Sequence, residues 1–116
     1  MIKKHLLLTL GGVENKEALR YSVVLKECLT QIMNDMEMTI VGKSSHQFIP
    51  CGATVVILLA ESHCSAHTFV DEKEIFVDLF CCRNFNVNGA LDLFVQHFQP
   101  QNVHFELVDR VSPVGS

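Results

Sequence analysis

Basic residues are scarce in this sequence. Nine lysines and arginines stand against 13 aspartates and glutamates, for a net charge of −4. Nucleic-acid sites are normally basic patches, and the pair Lys3-Lys4 is too small to make one, so no nucleic-acid partner is expected. Long apolar runs are missing as well: nothing approaches the roughly 20 residues of a membrane span, and no membrane partner is expected. The opening MIKKHLLLTLGG imitates a secretory signal, yet its apolar core is about five residues where such a core needs roughly 7–15. It reads better as a first strand. The five cysteines are an odd number with no CxxC spacing, which excludes a regular secreted disulfide framework and points to free thiols in a cytoplasmic setting. Internal repeats and low-complexity segments are also lacking.

What is present is a foldable chain. Its 116 residues suffice for one domain with one core, and 48% hydrophobic against 19% charged residues excludes disorder. His5 to Leu10, closed by Gly11-Gly12, reads as a buried strand. From Asn15, a plausible N-cap, apolar residues recur at three and four through Leu25, Leu29, Ile32 and Met36, predicting one helix of about five turns. Met38 to Val41 predicts a strand, GKSS a break, and Gln47 to Ile49 a strand end stopped by Pro50. ATVVILLA predicts a central strand, and SAHTFV and EIFVDLF predict two more around the polar turn DEK. VNGALDLFVQHF predicts a second helix and VHFELVDRV a last, alternating strand. The order β-α-β-β-β-β-α-β predicts an α/β (α+β) two-layer sandwich, a largely antiparallel sheet with two helices on one face. The other face is then free for a site or a partner.

The chemistry concentrates in LLAESHCSAHTF, Leu58 to Phe69, where a buried strand ends in an acid, a hydroxyl and two imidazoles. Zinc is the first reading, since His63, Cys64, His67, Cys81 and Cys82 are ligand types. Spacing decides against it: residues four apart in a strand are separated by about 13 Å, whereas zinc ligands lie roughly 2 Å from the ion. A serine hydrolase fails too, because AESHC lacks the glycines of a nucleophile elbow. Ser62 and His67 would face away from each other in an unbroken strand, so a bend at Ser62 would be needed to join them. Taken singly, each cysteine or histidine is ordinarily a packed or surface residue; their clustering argues for more.

The residues Glu61-Ser62-His63, Ser65 and His67-Thr68, followed by Asp78, Phe80 and Cys82, match a known pattern in order and spacing. The chain resembles the prokaryotic pyruvoyl-dependent S-adenosylmethionine decarboxylases from about His5 to its last strand. The resemblance implies that Glu61-Ser62 is a bond that breaks. The Ser62 hydroxyl would attack the preceding carbonyl, turning amide to ester. Elimination and hydrolysis would then leave a β chain, 1–61, and an α chain, 62–116, that begins with a covalent pyruvoyl group derived from Ser62. By the same resemblance His67 is the processing base and Cys82 the proton donor of decarboxylation, a step that suits a thiol because thiols are ordinarily protonated at neutral pH. The backbone at the scissile bond should be strained, held by the strands around it.

Substrate residues follow the family less closely. Phe48 stands where an aromatic stacks on adenine and Phe69 where the family has tryptophan; Asp71 replaces the glutamate that holds ribose. Arg83 replaces a glycine, and only Thr9 stands near the family's acidic residue of the first strand. Cys81 falls at a threonine position and reads as structural. The resemblance implies S-adenosylmethionine as substrate, an aminopropyl donor for spermidine synthesis as product, and a homodimer of processed αβ protomers with sites at or near the interface. Two readings stand beside it. One is a relative acting on free arginine or ornithine, for which Asp71, Glu72 and Glu74 are candidate carboxylates. The other is a non-catalytic regulatory member.

Overall fold

Two periods in the sequence, two and 3.6, decide the layers. The computed structural model describes residues 2–114, with side chains from residue 3. Its elements run β1 (Ile2–Gly11), α1 (Lys16–Arg20), α2 (Ser22–Asp35), β2 (Ile40–Gln47), β3 (Ala53–Leu59), β4 (Ser62–Phe69), β5 (Glu74–Cys81), α3 (Val87–Phe98) and β6 (Asn102–Val111). The strands form one antiparallel sheet in the order β2-β3-β4-β5-β1-β6. The N-terminal strand β1 thus lies between β5 and β6.

Alternation gives each inner strand a helix side and an open side. Leu6, Leu8 and Leu10 of β1 are buried, while His5, Leu7 and Thr9 keep some exposure. On the helices, Leu25, Leu29, Ile32 and Met33 make one buried stripe of α2 and Phe94 and Phe98 another on α3. Each such side chain contributes about 1.5–3 kcal/mol by leaving water. The expected two-layer sandwich is what forms, with the helices on one face. No helix among the described residues is long and apolar enough to cross a membrane.

Local differences from the sequence reading have tertiary causes. Asn15 does cap a helix, accepting from the Ala18 amide at 3.2 Å, but the single predicted helix is broken at Tyr21, which is extended. Gln47 fills the break: its Oε1 accepts from the Ser22 amide at 2.6 Å and its Nε2 donates to the Arg20 carbonyl at 2.8 Å. Helical hydrogen bonds are replaced there by bonds to β2, and no local residue signals it. GKSS, expected as a break, is part of β2, because pairing with β3 outweighs its weak strand propensity. ATVVILLA, expected to be a central strand, is β3, one in from the edge, with Leu58 half-exposed on the open side. β4 begins at Ser62, three residues before the predicted start.

Candidate active site

A two-residue hairpin, Ala60-Glu61, joins β3 to β4. Such hairpins ordinarily take a positive φ inside the turn. Here neither turn residue does, and the positive φ falls on Ser62, at 154°. A non-glycine residue held there stores roughly 1–3 kcal/mol. Thr39 pins the turn: its carbonyl accepts from the Ala60 amide at 2.8 Å, and its amide and hydroxyl donate to the Glu61 carboxylate at 3.0 and 3.1 Å. The Thr39 amide, with smaller help from its hydroxyl and from Arg83, holds the Glu61 carboxyl below the usual range.

Register brings the end of β5 to this turn, with Ser62 opposite Cys81. The Cys82 amide donates to the Glu61 carbonyl at 3.0 Å. Alternation then sorts the thiols. Cys81 is buried, its Sγ 3.9 Å from Met38 Sδ, and burial pushes its thiol up; Cys82 is exposed beside the Glu61-Ser62 bond. Cys64 is wholly buried, its thiol pushed up to about 12 by burial and, secondarily, by the Asp78 charge.

A polar group runs along the open face. The Nε2 atoms of His5 and His63 bracket the two oxygens of Asp78, His63 at 3.2 Å, and Ser65 Oγ donates to the same carboxylate at 3.4 Å. Partial burial raises the Asp78 carboxyl, but the hydrogen bonds and charges of the two histidines outweigh it and leave the group below its ordinary value. Asp78 thus ties together β1, β4 and β5.

The far end of β4 holds a cleft of about 590 Å³. Phe48, Phe69, Asp71 and His67 all line it, together with Thr54 and Cys51. Phe69 is braced edge-on by Phe76, ring centroids 5.4 Å apart. Thr54 Oγ1 lies 3.0 Å from His67 Nδ1, fixing the ring and leaving Nε2 for a proton from elsewhere. Thr54 was not singled out from the sequence. The available signal was a lone hydroxyl inside an apolar strand, whose meaning depends on the register that sets it opposite His67.

The expected residues therefore fall into two groups. Glu61, Ser62 and Cys82 meet at one end of β4; His67, Phe48, Phe69 and Asp71 meet at the other. No bend joins them. β4 runs unbroken, so Ser62 and His67 lie five positions apart, about 16 Å at ~3.3 Å per residue.

A comparison of sequences places this arrangement. The profile described as S-adenosylmethionine decarboxylase matches residues 4–111. The chain belongs to this family. Among similar family members, the S-adenosylmethionine decarboxylase proenzyme of Archaeoglobus fulgidus is 31% identical over 111 residues, covering 95% of this chain and 98% of that protein. The proenzyme of the same name from Hydrogenobaculum sp. is 34% identical over 107 residues, 91% of this chain and 79% of the relative. The crystal structure of the adenosylmethionine decarboxylase from Aquifex aeolicus superposes with a TM-score of 0.83 at 27% identity, over 99% of this chain and 96% of the other.

Proposed function

We propose that this chain is the precursor of a pyruvoyl-dependent S-adenosylmethionine decarboxylase, that it cuts itself between Glu61 and Ser62, and that two copies complete each site. The family assignment carries the activity, and the relatives' names favour adenosylmethionine over arginine or ornithine. The observation that carries the position of the cut is the Cys82 amide on the Glu61 carbonyl, next to the strained Ser62.

That amide is aimed where charge develops. When the Ser62 hydroxyl attacks, the Glu61 carbonyl oxygen becomes an oxyanion, and a preorganised N–H at hydrogen-bond distance stabilises it; one such donor is worth roughly 10²–10³ in rate. The positive φ at Ser62 destabilises the starting amide relative to the ester. Ser62 fits the origin of the prosthetic group for both reasons. Once formed, the pyruvoyl group supplies an electron sink for loss of the substrate carboxylate. The exposed Cys82 thiol beside it returns a proton to the substrate carbon.

A second copy supplies the other group of residues. Within one chain His67 is too far from Ser62 to take its proton. The open face, with Leu7, Leu58, Phe69 and Phe76 all substantially exposed, offers an apolar surface for a homodimer. Phe48 and Phe69 then present ring faces to adenine, and Asp71 presents a carboxylate to ribose hydroxyls. Five free cysteines support a reducing, cytoplasmic setting.

Intact mass spectrometry tests the cut. The expected result is two fragments breaking after Glu61, the second lighter by one ammonia than a chain beginning with serine. A chain that stays whole on long incubation would overturn self-processing and leave the regulatory reading. Decarboxylation of adenosylmethionine, set against arginine and ornithine, tests the substrate.

A further inference from the structure

Self-cleavage changes the charge of Glu61. Before it, the residue carries one carboxylate, on its side chain. In the elimination, a base takes the α-proton of Ser62 and the ester C–O bond breaks. The electron pair leaves on the main-chain carboxylate of Glu61, so the residue then carries two negative charges at one place. Whatever faces Glu61 acts on the leaving group of that step.

The cation that faces it is Arg83. Its Nε lies 3.9 Å from Glu61 Oε2. The guanidinium is held from behind, since Nη2 donates to the Met36 carbonyl at 3.1 Å and the Glu37 carbonyl at 2.9 Å, at the C-terminal end of α2. The Met36 carbonyl, at the C-cap, belongs to the negative end of the helix, which suits a cation there. Arg83 is also the next residue after Cys82, whose amide already holds the carbonyl oxygen that becomes half of the new carboxylate. The fixed fork of arginine reaches helix end and Glu61 at once; lysine has the charge without the fork.

We propose that Arg83 is a positioning residue for self-processing: anchored on the end of α2, it steadies Glu61 and offsets the second negative charge as its main-chain carboxylate leaves, then keeps that new end docked beside Cys82. This rests on the cleavage reading above. Its chemical consequence is specific. Loss of the charge slows elimination, the second step, more than ester formation, so the ester accumulates.

The test follows cleavage of freshly translated full-length chains by mass spectrometry, with and without hydroxylamine, which breaks esters and spares ordinary peptide bonds; a break at the susceptible Asn88-Gly89 bond is told apart by its fragment mass. R83Q keeps a donor for the helix end without charge, R83A removes both, and R83K keeps charge alone. The expected result is roughly three- to tenfold slower spontaneous cleavage in R83Q and R83A, with a hydroxylamine-releasable fragment building up that the wild type lacks, partial recovery in R83K, and a gap that narrows in high salt. R83Q that cleaves at the wild-type rate, or slow variants without the hydroxylamine-released fragment, would overturn the role of Arg83 while leaving the cleavage reading intact. A wild-type chain that breaks neither alone nor with hydroxylamine would overturn the cleavage reading itself, and this inference with it.

Discussion

The main-chain amide of Cys82 donates to the main-chain carbonyl of Glu61 at 3.0 Å, while the Cys82 side chain stands exposed. One residue thus offers two groups to two reactions. Under the proposed function, the amide would serve the cut and the thiol the decarboxylation that follows.

The two services separate on mutation. Cys82→Ala keeps the amide, so the chain should still break after Glu61, whereas decarboxylation should fall by roughly 10²–10⁴, the usual weight of a general acid. Fragment masses and carbon dioxide release measure the two independently. A C82A chain that fails to cleave would show that the thiol is needed before the pyruvoyl group exists.

His67 and Ser62 should complement each other between chains. His67→Ala and Ser62→Ala are each expected to leave a homodimer uncut. Co-expressed, the mixed dimer has one complete site, in which the S62A copy lends His67 to the H67A copy. Cleavage of the H67A chain alone is the expected outcome. No cleavage in the mixture would refute a shared site.

Thr54 holds the His67 ring, its Oγ1 3.0 Å from Nδ1. Thr54→Val keeps the shape and deletes the hydroxyl, and should slow cleavage by about tenfold while leaving the melting temperature within a few degrees of wild type. Serine at this position should restore the rate. An unchanged rate in T54V would reduce Thr54 to packing.

Asp78 makes a pH signature. Its carboxyl titrates lower in the folded chain than in the unfolded one, so its ionised form stabilises the fold. That contribution is whole above the ordinary value near ~3.9 and fades as the pH falls through the lower folded value. The melting-temperature gap between wild type and D78N should therefore be wide above about pH 5 and shrink below about pH 4. A gap that ignores pH would mean that the histidine bonds are not what lowers this carboxyl.

Thiol labelling should sort the cysteines. At mildly alkaline pH an alkylating reagent should modify Cys82 in the native protein and spare Cys64, whose thiol stands at about 12. Peptide mapping before and after denaturation checks this.

Much of the fold was legible because alternation is a local record of burial. β1, β5, β6 and α3 follow from their own residues. The break at Tyr21 and the strand through GKSS were not legible, since Gln47 and β3 cause them from a distance. The site divides in the same way. Glu61, Ser62 and Cys82 are recognisable as a motif, and the inward turn of Cys81 follows from strand parity. The partner of His67 is hidden in an apolar run, because Thr54 acquires its meaning only when β3 and β4 are in register. Sequence parity argued that an unbroken strand would keep Ser62 and His67 apart, and the straightness of β4 keeps them five positions apart.

The place of β1, between β5 and β6, has a consequence for the life of the molecule. A cut after Glu61 would leave strands of the two pieces interleaved, with β1 of the 1–61 piece gripped on both sides by the 62–116 piece. The uncut chain folds by an encounter with itself, at a rate that ignores concentration. The cut one, once denatured, must reassemble from two molecules, and its recovery slows with dilution. If the proposed cut occurs, maturation is a one-way passage: the polypeptide folds easily once, as a single thread, and thereafter survives by not coming apart.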